Sequence, residues 1–415
     1  MKKPLHKHIG HGARKVHSRI TKYLMERDTI FATIWVFIFI VVLGLIPLNL
    51  GIMNPVKLGL KDFDFNDLTY SKLGKAEGGA VEEKITVVNI GHLNREELAM
   101  LIDAVAAKKP KVMGLDAYFT EAGDPHQDSV LDDCFRRNKN LVVGRKAVLT
   151  GKEGDTVSFT ADYFKTPATF AHVNIFIDSL SCIRTFEPFI VDYKHKMYPF
   201  FATELIRQYD PAAYKHLEEK EDHKVIINYS RGPDRYFILQ PEEVMLGGFD
   251  DSRIKDKIIL LGYVNPDPQD LEDKKFTPMN HRFAGKSIPD MNGVFIHANI
   301  ISMALDDDYV KKVPLWGNLL LAIIVCWLHM SFFVHYYLES HIWFHLAAKI
   351  AQVASAIFFV WLGIYLYDKY RLKVDMKMSL ITIVLAVDVI YFYEAWAVWM
   401  HKKFGYKTVF KPHHH

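Results

Sequence analysis

Polar side chains follow several short apolar runs that predict β-strands in this sequence. They are His92, Asn94, Asp116, Tyr263 and Asn265. In open α/β sheets, ligands bind beyond the carboxyl ends of the strands. These residue types in these positions therefore predict a polar pocket for a small ligand.

Four further polar residues could converge with them from later segments: Asp270, Thr277, His297 and Asn299. The candidate ligand-binding residues are then Asp116, Tyr263, Asn265, Asp270, His297 and Asn299. A structural alternative stays open, in which Asp116 and Asn94 satisfy backbone groups at turns and helix ends and His297 is a hydrogen-bonded core histidine.

No motif in the chain predicts an enzyme. There is no His-Glu-x-x-His, Gly-x-Ser-x-Gly or Cys-x-x-Cys sequence, so we expect no catalytic residues and no cofactor. An acidic loop could offer oxygen ligands to a hard cation. Its carboxylates are Asp267, Asp270, Glu272 and Asp273. The loop lacks the spacing of an EF-hand, so we expect a solvated loop and no metal.

Short β-rich runs alternate with helical runs from residue 85 onward. Asn94 and Glu97 have the spacing of a capping box that begins a helix. The predicted strands are residues 85–90, 112–115, 141–144, 170–177, 182–191, 224–228 and 257–261, and the later helices are residues 129–137, 199–209 and 294–305, the last entering a membrane run. This alternation predicts a largely parallel sheet covered by helices.

Four apolar runs have about the 20 residues that a helix needs to cross a bilayer. They are residues 30–50, 315–337, 346–367 and 378–400. Tyrosine and tryptophan lie near their ends, as is typical of membrane interfaces. The fold class we predict is an α/β extracytoplasmic domain plus four transmembrane α-helices, one N-terminal and three C-terminal.

Basic residues flank the first and last runs and predict the orientation. They are Lys2, Lys3, Lys7, Arg14, Lys15, Arg19, Lys22 and Arg27 before the first run, and Lys402, Lys403, Lys407 and Lys411 after the last. Both termini are therefore expected in the cytoplasm. The expected segments are a basic tail (1–29), a first helix (30–50), an extracytoplasmic domain (51–314), a three-helix bundle (315–400) and a short tail (401–415).

Ionisable residues inside the membrane runs are His329, Lys349, Asp388 and Glu394. A charge at the centre of a membrane helix costs about 2.5–3.5 kcal/mol on insertion scales, so such groups usually face a partner or a cavity. Lys349 and Glu394 could pair between helices. Asp388 and His329 could form a proton path, or a hydrogen bond could simply join two helices.

Two flanking segments and the cysteines leave alternatives open. Residues 369–377 alternate apolar and charged side chains, which predicts either a strand or an extended linker. Residues 16–24 predict an amphipathic helix on an anionic membrane surface. Cys134 and Cys182 could form a disulfide, but the sequence does not decide this.

Several segments, taken in order, resemble a known family. ITVVNIGH, KVMGLDAYF, DKIILLGY, KFTP and GVFIHANIISMAL lie between one N-terminal and three C-terminal membrane runs. This order resembles the CHASE2 extracytoplasmic sensor module of bacterial receptors, over most of residues 30–400. The resemblance implies a sensor in the bacterial inner membrane with a periplasmic domain. Members of the family usually continue into a cytoplasmic kinase or nucleotide cyclase.

Only about fifteen residues follow the last membrane run, so we expect the signal to pass to a separate chain. The expected partners are proteins of the membrane or envelope, membrane lipid and an unidentified small ligand. Neither the net charge of +3 nor any motif points to nucleic acid. The alternatives are a structural subunit of an export or motility complex, and ion or proton translocation through the helices.

Overall fold

The computed structural model describes residues 23–45, 64–70, 80–150, 156–159, 163–164, 169–175, 182–192, 194–220, 223–265, 267, 269–282, 288–339 and 341–410. Two compact units form, one from residues 52–310 and the other from residues 1–51 with 311–415. Most of the predicted amphipathic tail, and the predicted first membrane run beyond residue 45, lie outside the described residues.

The helices are α1 (Arg27–Leu45), α2 (Arg95–Ala107), α3 (Pro125–Arg137), α4 (Phe201–Tyr209), α5 (Pro211–Glu218), α6 (Pro241–Leu246), α7 (Gly293–Leu305), α8 (Leu315–Glu339), α9 (His341–Tyr370) and α10 (Lys377–Phe404). The strands are β1 (Ile85–Asn89), β2 (Val112–Leu115), β3 (Leu141–Arg145), β4 (Ala147–Thr150), β5 (Thr156–Phe159), β6 (Thr169–His172), β7 (Thr185–Phe186), β8 (Phe189–Val191), β9 (Met197–Pro199), β10 (Val225–Ile226), β11 (Phe237–Leu239), β12 (Ile258–Gly262), β13 (Lys274–Lys275), β14 (Met291–Asn292), β15 (Lys311–Lys312) and β16 (Leu372–Lys373).

A six-stranded sheet organises the unit of residues 52–310. Its order is β11-β1-β12-β2-β3-β6, and every neighbouring pair is parallel. Strands β1, β2 and β12 are buried along their whole length, which is why they read as continuous apolar runs. The predicted parallel, helix-covered sheet is confirmed.

Helices cover both faces of this sheet. On one face, α2, α3 and α6 contribute Leu101, Leu131 and Val244 to a continuous apolar cluster. Because side chains alternate along a strand, Gly114 faces the other side, where α4 packs. A Cβ atom at Gly114 would lie 2.7 Å from side-chain atoms of Leu205, so glycine lets α4 pack directly on β2.

The capping box predicted for α2 is confirmed. The Asn94 side chain accepts from the backbone N–H of Glu97, and the Glu97 carboxylate accepts from the backbone N–H of Asn94. One predicted boundary is wrong. The helix that was expected to enter the second membrane run, α7, ends at Leu305, and β15 separates it from α8. Also, α7 is buried on every side through Ala304 instead of along one stripe.

Within the described ranges, four helices are long and apolar enough to cross a membrane: α1, α8, α9 and α10. They belong to the other compact unit. In this unit, the predicted strand within residues 369–377 is the short β16, which pairs in parallel with β15. The helices α8 and α10 are the most extensively packed, whereas α9 leaves most of its surface exposed.

The described segment after α10 folds back onto the start of α1. Asp28 is 1% exposed and accepts hydrogen bonds from Tyr406 Oη, Thr408 Oγ1 and the backbone N–H of Val409. Arg27 donates to the carbonyl of Lys407 and stacks on the Tyr406 ring. Residues 405–410 are thereby attached to the helices.

The three cysteines are buried, and no disulfide joins them. Cys134 on α3 lies against the Ala99 carbonyl and the Asp103 carboxylate of α2. The structure therefore does not join Cys134 to Cys182, which was the disulfide that the sequence left open.

Candidate ligand-binding site at the carboxyl edge of the sheet

Asp116 comes directly after β2 at the carboxyl edge of the sheet. Its backbone N–H donates to the carbonyl of Leu261 on the neighbouring β12, with 2.8 Å between nitrogen and oxygen. The carboxylate is only 15% exposed and accepts no hydrogen bond from the described residues. A buried carboxylate without a donor is costly to the folded state.

The surroundings of Asp116 favour its neutral form. Burial, followed by the carboxylate of Asp273, raises the pKa of Asp116 from 3.8 to about 7, although Lys275 acts in the opposite direction. Asp273 also accepts from the backbone N–H of Gly293, which begins α7. The two carboxylates thus lie beside the first residue of one helix, where the dipole partly offsets their charge.

Ionisation of Asp116 is linked to stability. The pKa is higher in the folded state than in an unfolded chain, so folding takes up a proton between the two values. The neutral group stabilises the fold fully below about pH 4. This contribution is lost progressively as the pH rises toward about 7.

His297 on α7 approaches the same carboxylate. Its Nε2 lies 3.7 Å from Asp116 Oδ1, which is too long for a hydrogen bond, and its Nδ1 has no partner among the described residues. The ring packs between Phe200 and Phe201, at 5.0 and 4.9 Å between centroids. Burial, and then the neighbouring His172, lower the pKa of His297 to about 3. The neutral imidazole therefore presents Nε2 to the Asp116 carboxyl group, and its Nδ1 is buried without a partner among the described residues.

Two residues at this edge were not among the predicted site residues. Arg145 ends β3 and His172 ends β6. Burial, and then the Arg145 cation, lower the pKa of His172 to about 3, and Phe200 lies against its ring at 5.3 Å. The signal that could have found them is their position at strand ends, but the strand predicted over residues 170–177 placed His172 in its interior.

The other predicted residues form a second, more exposed cluster on the same edge. Tyr263 Oη donates to Asp270 Oδ2 at 3.0 Å, and Asn265 Nδ2 donates to the same carboxylate. His92 Nε2 lies 3.4 Å from Tyr263 Oη. The backbone N–H of Glu272 is the largest of the influences that hold the pKa of Asp270 below its usual value. The polar groups of these side chains are hydrogen-bonded to one another, whereas Asp116 and His297 form no hydrogen bond to each other.

Asn299 belongs to neither cluster. Its Oδ1 accepts from the backbone N–H of Arg231, and its Nδ2 donates to the carbonyls of Arg231 and Phe295. The side chain is completely buried. Asn299 therefore fixes a loop to α7, and the structure does not bring it to the predicted ligand site.

The acidic loop does not assemble a set of metal ligands. Within the described part of the chain, no three histidine, cysteine, aspartate or glutamate side chains converge on one point. Asp270 is bonded to Tyr263 and Asn265, and Asp273 is paired with Lys275 at 3.3 Å.

His329 joins two membrane helices. Its Nε2 lies 2.9 Å from Ser355 Oγ on α9, and its Nδ1 lies 2.8 Å from the Val325 carbonyl of its own helix. These contacts correspond to the hydrogen bond between helices that the sequence allowed. Asp388 is exposed on α10 and is not among the described contacts of His329.

Glu394 has a different partner from the one predicted. It accepts a hydrogen bond from Tyr337 Oη on α8. Lys349 is exposed on α9 and makes no ion pair with the described residues. The predicted interhelical pair between Lys349 and Glu394 is thus absent from the described contacts.

An α/β unit with a polar carboxyl edge, together with the four helices of the described residues that are long and apolar enough to cross a membrane, indicates a membrane protein with a separate folded domain. The CHASE2 domain family matches residues 80–332, which is more than half of the chain, and the chain belongs to this family. The matched range is shorter than residues 30–400, over most of which the order of segments resembles the family. No curated protein and no solved structure matches the chain.

Proposed function

We propose that this chain is a non-enzymatic sensor of the bacterial inner membrane that binds a small ligand at the carboxyl edge of its sheet. Both termini are cytoplasmic in this proposal, and the α/β domain is periplasmic. Membership of a family of sensor modules supports a sensory role. The ligand site and the route of the signal are the further steps that we propose.

One observation carries the ligand site. Asp116 is nearly buried and accepts no hydrogen bond from the described residues, while Nε2 of His297 faces it at 3.7 Å without forming a hydrogen bond to it. Buried polar groups without hydrogen-bond partners lower the stability of the folded state unless a bound molecule supplies those partners. The polar groups of the second cluster, around Tyr263, are already hydrogen-bonded to one another, so Asp116 is the centre of the proposed site.

The chemistry of Asp116 selects the class of ligand. A cationic group beside two carboxylates, Asp116 and Asp273, would favour the ionised form of Asp116 and relieve their repulsion. Nε2 of His297, which faces Asp116 and forms no hydrogen bond with the described residues, can bond to a second polar group of the same molecule. We therefore propose a small primary amine, such as an amino acid or a polyamine.

A panel of small primary amines tests this proposal. We expect at least one amine to raise the midpoint of thermal unfolding of the full chain in detergent, in a saturable way, because a ligand that binds only the folded state stabilises it. The effect should grow as the pH rises toward about 7, since the ionised carboxylate binds the cation. Asp116→Asn should abolish it.

The matched control is Asp132→Asn, which alters a carboxylate of α3 that pairs with Arg136. This variant should keep the response to the amine. Without ligand, Asp116→Asn should be more stable than the natural chain, with an advantage that grows between about pH 4 and pH 7. An amine response that survives in Asp116→Asn, or none in the natural chain, would exclude this ligand site.

The second half of the proposal is that a separate chain receives the signal. The expected result is a stoichiometric second polypeptide that co-purifies with the full chain from native membranes in mild detergent. Asp116→Asn should change the amount recovered, whereas Asp132→Asn should not. Repeated recovery of this chain without another polypeptide would contradict the proposal that a separate chain receives the signal. The ligand site would not be affected by that result, because the amine panel tests it separately.

A further inference from the structure

A row of apolar side chains on α10 faces away from α8. Val384 and Phe392 are 58% and 54% exposed, and Ile381 and Trp399 continue the row in both directions. Asp388 lies in the middle of it and is also exposed. A carboxylate in the middle of a membrane helix normally faces a partner or a water-filled cavity.

A similar row lies on α9. Ile350, Val353 and Ile357 are each at least 60% exposed, and Leu346 extends the row. Lys349 lies beside it and is exposed as well. We refer to the exposed rows on α9 and α10, with Lys349 and Asp388, as the outward face.

Two contacts place these charges at the same depth. Gln352 of α9 donates to the carbonyls of Ile383 and Val384 on α10, and His345 Nε2 of α9 lies 3.1 Å from Tyr391 Oη of α10. Lys349 lies between the two α9 residues in sequence, and Asp388 lies between the α10 residues. Residues 345–352 therefore run beside residues 383–391, and both charges fall within this shared segment.

Within the described chain, neither charge has a hydrogen-bonded or ion-paired partner. The face that presents them is otherwise apolar, and it carries one positive and one negative group. Such a face is complementary to itself under a two-fold axis along the membrane normal, because that rotation preserves depth and places α9 of one copy against α10 of the other.

We propose that the outward face is the interface between two copies of this chain, in which Lys349 of each copy pairs with Asp388 of the other. The two pairs neutralise four charges within the apolar layer, and the apolar rows pack around them. The occupant of the face is thus a second copy. This inference does not depend on the amine site or on a separate receiving chain.

Charge reversal in two co-expressed copies tests the proposal. A copy with Lys349→Glu carries carboxylates at both positions, 349 and 388. A copy with Asp388→Lys carries cations at both positions. Either variant alone should lose self-capture between differently tagged copies in mild detergent, by at least tenfold relative to the natural chain. When the two variants are mixed, every contact across the interface joins opposite charges, so they should capture each other at the natural level.

The mixture separates this proposal from a pair formed within one chain. The double variant Lys349→Glu with Asp388→Lys restores a pair in either case, and it shows that the reversed residues insert into the membrane. Recovery in the double variant without recovery in the mixture would overturn the proposal. It would also fail if the natural chain does not capture its copy, or if a different membrane protein replaces the copy.

Two milder variants cover the case in which a reversed charge prevents insertion. Asp388→Asn should reduce self-capture, since it removes the negative partner and keeps the shape of the side chain. Lys369→Gln, which changes another exposed residue near the end of α9, should leave self-capture unchanged. Equal self-capture by Asp388→Asn and Lys369→Gln would overturn the pairing.

Discussion

Replacing Asp67 with alanine is expected to lower the free energy of unfolding of the α/β unit by about 3–5 kcal/mol. Asp67 and Arg184 form a buried ion pair, with side chains that are 2% and 8% exposed. The guanidinium donates twice, from Nε to Oδ1 at 2.9 Å and from a terminal nitrogen to Oδ2 at 2.6 Å. The substitution removes the Asp67 carboxylate from beside the buried Arg184 cation.

The buried thiols of Cys134 and Cys182 provide the measurement. In a Cys326→Ala background, their modification rate in the full chain reports opening of the α/β unit. The expected change is an increase of about 10² to 4 × 10³ fold, since each factor of ten corresponds to about 1.4 kcal/mol.

The control is Asp251→Ala, which removes an exposed pair with Lys108. This change should cost less than about 1 kcal/mol. Adding Arg184→Met to Asp67→Ala should recover part of the loss, since it removes the buried cation that Asp67 balances in the natural chain. If Asp67→Ala behaves like Asp251→Ala, the buried pair does not stabilise the unit.

The second large effect is expected for Asp28→Ala, which should release residues 405–410 from the helices. The carboxylate accepts from Tyr393 Oη at 2.6 Å, and also from Tyr406, Thr408 and Val409. Hydrogen bonds to a charged group contribute about 1.5–3 kcal/mol each. Alanine removes the shared acceptor and leaves these donors without it.

Limited digestion with trypsin measures the release. Cleavage of the full chain in detergent after Lys407 should become at least tenfold faster in Asp28→Ala. Asp28→Asn should be intermediate, because its amide keeps one acceptor oxygen but not the charge. Glu26→Ala, two residues away, should cleave at the natural rate. An unchanged rate in Asp28→Ala would show that other contacts hold the segment.

Local patterns in the sequence predicted much of the α/β unit. Residues 112–115 were predicted as a strand with the bounds that β2 has, since a short apolar run between turn residues depends on its neighbours alone. The order of the strands could not be predicted. It depends on β12 inserting between β1 and β2, and pairing over such distances leaves no mark on the local pattern.

The candidate site was predicted only in part, because local patterns show where a strand ends but not which distant residues contact each other. The rule for strand ends placed Asp116 and Tyr263 on one edge of the sheet. It gave no means of knowing that Asn299 would bond to the backbone of a distant loop at Arg231. In the membrane helices, composition identified Glu394 as a group that needs a partner, but only packing shows that Tyr337 is close enough to supply it.

The position of β12 also constrains how the protein is made. This strand is the last of the six in the chain, yet it lies between β1 and β2. At about 5–20 residues per second, the ribosome needs on the order of 10 to 35 seconds to proceed from Ile85 to Gly262. During that interval β1 and β2 have open edges that invite pairing with other chains. We infer that a chaperone which shields nascent strands has its greatest effect on this protein before β12 emerges.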